Sequence, residues 1–131
     1  MSTLKVNAIQ DAAGANQSTA AEINVGRAKA WGTFKGSGTP GVILAHNFSS
    51  LTDISQGKYR LNFTTAFADT NYCCAGNSGK GDTNDDGNAH IQIGGTNSAP
   101  TLLTTSVTVR TKVSSNINNQ EPDKFHVMIH R

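Results

Sequence analysis

The sequence predicts an all-β protein, an antiparallel β-sandwich (jelly-roll-like) of about eight strands behind a short N-terminal arm. Three observations predict it. Short apolar runs recur about every ten residues and are separated by Gly, Pro, Asn and Asp, the spacing of strands and turns in sandwiches and barrels. The clearest run, KYRLNF, puts Tyr59, Leu61 and Phe63 on one parity and Lys58, Arg60 and Asn62 on the other. That is the period of a strand with one buried face. Finally, only 15% of the residues are charged, and the polar surface must come from Thr, Ser, Asn and Gly, which suit strands and turns.

The elements follow in order. In LKVNAI, Leu4, Val6 and Ala8 alternate with Lys5 and Asn7, which reads as a short strand ended by DAAGAN. No hairpin partner is evident beside it, so it is expected to pair far along the chain or with another chain. Leu4, Val6 and Ile9 are therefore candidate contacts of an attachment or strand-exchange arm over residues 1–27. Within the arm, Thr19 to Glu22 fits a capping box and Gly26 a stop, predicting one or two helical turns.

Residues 28–131 are expected to form the head domain. The stretch Trp31 to Gly76 is its densest apolar part and its expected core, with strands at WGTF, VILAHNF, KYRLNF and NYCCAG. GSGTPG, SQG and ADTN read as turns because Gly supplies positive φ and Pro and Asx residues favour reversal. Residues 77–90 are a polar loop, and Lys80, Asp82, Asn84, Asp85, Asp86 and Asn88 are its candidate recognition residues, since loops on a β-scaffold often carry function. IQI, SVTVRTKV and FHVMIH then return to strands. Val107, Val109 and Thr111 face one way against Arg110 and Lys112, and Phe125, Val127 and Ile129 oppose His126, Met128 and His130.

Composition excludes several classes. The length of 131 residues fits one domain. No apolar run reaches the ~20 residues that span a bilayer, so membrane insertion is not expected. The 11 basic and 9 acidic residues are scattered, with a net charge of +2, so no nucleic acid is expected as a partner. MSTLKVNAIQ lacks the pattern of a secretory signal. Cys73 and Cys74 are adjacent and would point to opposite strand faces, which strains an internal bridge. They read as two small apolar residues, one in the core, with an inter-chain disulfide as the alternative.

Chemistry is sparse. Asp82-Thr83-Asn84-Asp85-Asp86-Gly87 matches the first half of a calcium loop, with Asp82, Asn84 and Asp86 as the oxygen ligands. The twelfth position, where an EF-hand needs Glu, is Ile93, so the EF-hand reading fails and a solvated Asx-rich turn is expected, with a non-EF calcium loop completed by carboxylates elsewhere as the alternative. His126 and His130 share a face but stand about 13 Å apart along a strand, too far to hold one ion, and His46 and His90 read as isolated. Asp53 and Asp69 lie beside turn residues, and turn duty is expected of both. No nucleophile elbow, HExxH or Walker loop is present. No catalytic residue, cofactor or enzyme activity is expected.

Three phrases carry a resemblance. LKVNAIQDAAG, GRAKAWGTF and NFSSLTDISQGKYRLNFTTAFADTNY, in that order, resemble a module of tail fibres and related virion proteins of marine bacteriophages, the phages of cyanobacteria among them. The resemblance covers about Thr3 to Tyr72 and returns weakly in the last two strands. It implies a structural protein of the phage particle, assembled in the bacterial cytoplasm and located in the virion. It also implies a homotrimer that contacts other tail or capsid proteins and host-surface glycan. The short length and initial Met raise a second expectation, a capsid decoration or cement protein that stabilises the head.

Overall fold

A computed structural model describes residues 2–3, 5–14, 17–79, 89–93, 102–113 and 121–131. In chain order the elements are β1 (Ala8–Gln10), β2 (Gln17–Thr19), α1 (Ala20–Gly26), β3 (Ala30–Lys35), β4 (Gly41–His46), β5 (Phe48–Ser55), β6 (Lys58–Phe63), β7 (Cys73–Gly79), β8 (Ala89–Ile93), β9 (Ser106–Val113) and β10 (Lys124–His130). β1 and β2 form a small hairpin of their own. The other eight strands form one antiparallel sheet in the order β4-β3-β10-β7-β8-β9-β6-β5.

That sheet folds back on itself to a nearly barrel-shaped body. Three strands separate β6 from β10 in the sheet order, yet the rings of Tyr59 and Phe125 stack with centroids 5.0 Å apart. The two halves of the sheet therefore face each other across one interior, and the expected all-β sandwich character is present. Period-two sequence fills that interior. Tyr59, Leu61 and Phe63 of β6 are buried, as are Phe125, Val127 and Ile129 of β10 and Ala30 and Phe34 of β3. The aromatic rings continue in contact from Phe125 to Phe34 at 5.1 Å, Phe34 to Phe48 at 5.4 Å, Phe48 to Phe63 at 5.3 Å and Phe63 to Tyr72 at 5.8 Å. Each such ring contributes about 1.5–3 kcal/mol by leaving water, as do the buried Leu61, Val107, Val109, Val127 and Ile129 around the spine.

The turns are as the sequence expects. SQG closes the β5–β6 hairpin with Gly57 at φ 60, and the Gly57 carbonyl accepts the Thr111 N–H at 2.9 Å. GSGTPG joins β3 to its antiparallel neighbour β4. The Thr19–Glu22 capping box is formed at the start of α1.

Several expectations need correction. The strand expected over LKVNAI is not formed at Lys5 to Asn7; the strand present is β1, Ala8–Gln10, and it has a local partner, pairing with β2 in the register Ala8–Thr19, Ile9–Ser18 and Gln10–Gln17. The intervening turn carries Gly14 at φ 73, whose N–H bonds the Asp11 carbonyl at 3.0 Å. VILAHNF is two strands rather than one. Asn47, at φ 56, turns the chain between them, a conformation Asn tolerates better than most residues. Its amide holds the corner: Nδ2 donates to the Lys29 and Thr65 carbonyls, and Oδ1 accepts the Thr65 N–H at 2.8 Å. β9 alternates as expected, but Ser106, Thr108 and Arg110 on its other parity are buried too. They lie opposite Asn62, Arg60 and Lys58 of β6. The core is also wider than Trp31 to Gly76, because β9 and β10 supply Val107, Val109, Phe125, Val127 and Ile129.

Candidate interaction surface

The described residues hold no group of three or more His, Cys, Asp or Glu side chains that could bind a metal. Lys80, Asp82, Asn84, Asp85, Asp86 and Asn88, the calcium-loop residues included, lie outside the described residues, as does Leu4 of the arm.

The other arm residues are described. Val6 is 44% and Ile9 59% exposed. The seven-residue α1 has no buried residue. Its short length makes it marginal on its own, and the capping box holds its first turn: the Glu22 N–H donates to Thr19 Oγ1 at 3.2 Å, and the Thr19 N–H donates to Glu22 Oε2 at 2.7 Å. That bonding, with the Thr19 backbone contact first, lowers the Glu22 pKa. Val6, Ala8, Ile9, Ala20 and Ile23 line a shallow hollow between hairpin and helix. The arm thus gathers apolar side chains without covering them.

The outer face of β4, β3, β10 and β7 is the second uncovered surface. Strand pairing sets its side chains in rows. One row runs His46, Trp31, Met128, Ala75, and the next Leu44, Thr33, His126, Asn77. Trp31, Met128 and Leu44 are all substantially exposed. A bulge between Thr33 and Phe34 leaves Ile43 without a partner on β3, and Ile43 is exposed as well. Trp31, Thr33, Ala75, Asn77, His126 and Met128 surround a shallow depression.

The histidines sit on this face without converging. His126 and His130 are on the outer parity of β10, as expected. His126 Nδ1 shares a 3.0 Å hydrogen bond with Thr33 Oγ1, and His130 Nε2 lies 3.0 Å from the Met128 sulfur. His90 pairs with Asn77 across β7–β8. His46 is not isolated, because its ring stacks on Trp31 with centroids 6.2 Å apart. The five Phe rings turn inward: four are buried, and Phe67 is half-buried against Phe63 and Tyr72. The only aromatic edge offered outward by the expected core stretch is that of Trp31.

A cleft beside α1 is lined by Asn24, Lys29, Asn47, Thr65, Asp69, Asn71 and Arg131, but its polar groups are committed to one another. Lys29 Nζ donates to the Asn24 carbonyl and side-chain oxygen. Asp69 accepts from Arg131 at 2.6 Å and from the Asn71 N–H at 2.9 Å. The Arg131 hydrogen bond, followed by the Asn71 N–H, holds the Asp69 carboxyl below its usual pKa. Asp69 is a turn residue, as its position suggests, but Asp53 is not: it lies within β5, exposed and opposite Tyr59 of β6.

Cys73 is exposed and Cys74 half-buried, and both are free. Cys74 packs against the core, and burial, reinforced by Cys73, pushes its thiol up to about 12.

The aliphatic exposure of β4 had no sequence signal, since GVILAH reads like any buried strand. Its exposure follows from its place at the end of the sheet. Among the described residues no helix is long and apolar enough to cross a membrane. No family model matches the chain, and no curated protein or solved structure matches it.

Proposed function

We propose that the chain is a structural module of a phage particle, most specifically a homotrimeric tail fibre or fibre module that attaches the particle to a host surface. Besides the resemblance in Thr3 to Tyr72, one observation supports this reading: among the described residues the buried apolar core lies in residues 28–131, while residues 1–27 leave apolar side chains uncovered. The head buries an aromatic spine. The described residues of the arm contribute nothing to that core, yet Val6, Ile9, Ile23 and Val25 are exposed. Such side chains are suited to docking against other virion proteins or other copies of the chain. The chain acts by binding and assembly in this reading, with no catalytic step. Host contact, including surface glycan, falls in this reading to the polar residues between β7 and β8, such as Lys80 and Asp82, which lie outside the described residues.

Locating the chain in a particle reconstruction tests this. Density at a three-fold tail position, together with binding of the purified protein to host cells, is the expected result. Density spread over the capsid lattice would instead identify a decoration protein, and absence from the particle would end the proposal.

A further inference from the structure

We infer that Cys73, Met128 and His130 form a binding site for one soft monovalent metal ion, copper(I), on the outer face of β7 and β10. The site does not depend on the fibre reading above.

Strand pairing brings the donors together. β10 is antiparallel to β7, with His130 opposite Cys73 and Met128 opposite Ala75. Directly opposed side chains start about 4.5–5.5 Å apart and diagonal ones about 7–8 Å, within reach of a long side chain. Cys73 is therefore the direct neighbour of His130 and the diagonal neighbour of Met128. All of them lie on the outer parity, because Cys74 and Ile129 beside them pack on the core. Two of the donors already meet: His130 Nε2 lies 3.0 Å from the Met128 sulfur. Ala75 is too short to fill the position between Cys73 and Met128. The group is open to an incoming ion, since Cys73 is exposed, Met128 is 45% exposed and His130 is half-buried.

The donor set selects the ion. Calcium and magnesium take oxygen ligands, and the carboxylate nearest in the chain to Cys73, that of Asp69, is engaged by Arg131. Structural zinc is held by four groups drawn from Cys, His and carboxylates, and a thioether is not among them. Thiolate and thioether sulfur are soft ligands that favour copper(I), and imidazole suits copper too. Binding exchanges a proton for the ion. The Cys73 S–H bond breaks, a sulfur–copper bond forms, and the proton passes to solvent with no change of oxidation state. Met128 is unbranched, with three rotatable bonds, so its sulfur can swing away from Nε2 and admit the ion between them.

The test titrates the full chain, reduced and free of oxygen, with copper(I) held by a weakly competing coloured chelator. Each chain should withdraw one ion. Copper X-ray absorption of that complex should show two sulfur neighbours and one nitrogen, a readout that needs no variant. Cys73→Ser should abolish the withdrawal, and Cys74→Ala should leave it unchanged. Changes around a metal's ligands commonly cost ~10–100-fold in affinity, so Met128→Leu and His130→Gln, which replace donors outright, should each weaken binding by at least about tenfold. Far-UV circular dichroism should stay unchanged in both. No withdrawal by the unaltered chain overturns the site. So does undiminished binding by Met128→Leu and His130→Gln, which would reduce it to an exposed thiol. A single sulfur neighbour, or one ion shared by two chains through a thiolate bridge, overturns it as well. None of these results bears on the fibre reading.

Discussion

Tyr59 ties the two halves of the molecule together. Its ring is fully buried against Phe125, and its hydroxyl donates to the Gly36 carbonyl at 2.9 Å. Gly36 in turn donates its N–H to the Pro122 carbonyl at 3.0 Å, so one phenol fixes the end of β3 and the entry to β10. Tyr59→Phe keeps the ring and strands the buried carbonyl, which should cost about 1–2 kcal/mol in denaturant unfolding at neutral pH. Burial, and then Glu121 and Asp53, raise the phenol pKa well above its usual value. The folded state thus holds that proton more tightly than the unfolded chain. The contribution is full below about pH 10, the unfolded value, and is lost as pH rises toward the folded one. Tyr59→Phe should therefore also flatten the loss of stability above about pH 10, read from melting across that range.

The cysteines give a second prediction at this scale. Neighbours on a strand point to opposite faces, so Cys73 meets solvent while Cys74 packs on the core with its thiol pushed up to about 12. The thiolate is the reactive form. A maleimide at neutral pH should label the native protein once, at Cys73, and twice after denaturation. Native labelling at both sites, located by peptide mass, would contradict the inward placement of Cys74.

At the scale of elements, α1 depends on its cap. It buries nothing, so packing offers little support. Thr19→Ala removes the bonds of Thr19 Oγ1 to Glu22, leaving the backbone N–H bond to Glu22 Oε2, and should cost about 1 kcal/mol locally. Amides of residues 20–26 should then exchange faster, while the melting of the head stays unchanged. That cap was legible in the sequence because it is a local pattern with its own hydrogen bonds. β6 and β10 were legible for a similar reason: one face of each is buried, so polarity alternates along KYRLNF and FHVMIH. What could not be read depended on neighbours distant in the chain. QST carries no apolar alternation, so β2 was invisible and β1 looked unpaired. VILAHNF held no obvious break, because Asn47 turns the chain through bonds to Lys29 and Thr65. GVILAH resembled a core strand, and only the sheet order shows that it is an edge. The candidate surface was legible at its single Trp, while Ile43, Leu44 and Met128 required the fold.

At the scale of the whole molecule, the division between arm and head sets what each part can do. Among the described residues the buried apolar cluster contains Ala30 and eleven residues beyond it, and none from the arm. The hairpin and α1 contact each other, and the sheet order of the head includes neither β1 nor β2. Stability should therefore reside in residues 28–131. Removing residues 1–27 should shift the melting temperature by less than about 3 °C, the change that ~0.5 kcal/mol gives a domain of this size. The same truncation should remove the chain from assembled particles, because the exposed Val6, Ile9, Ile23 and Val25 leave with it. Both readouts are needed. A head that melts much earlier would show that the arm covers part of the barrel. A truncated chain that still enters particles at the normal copy number would show that the head carries the docking surface, and that the uncovered residues of the arm serve some other contact.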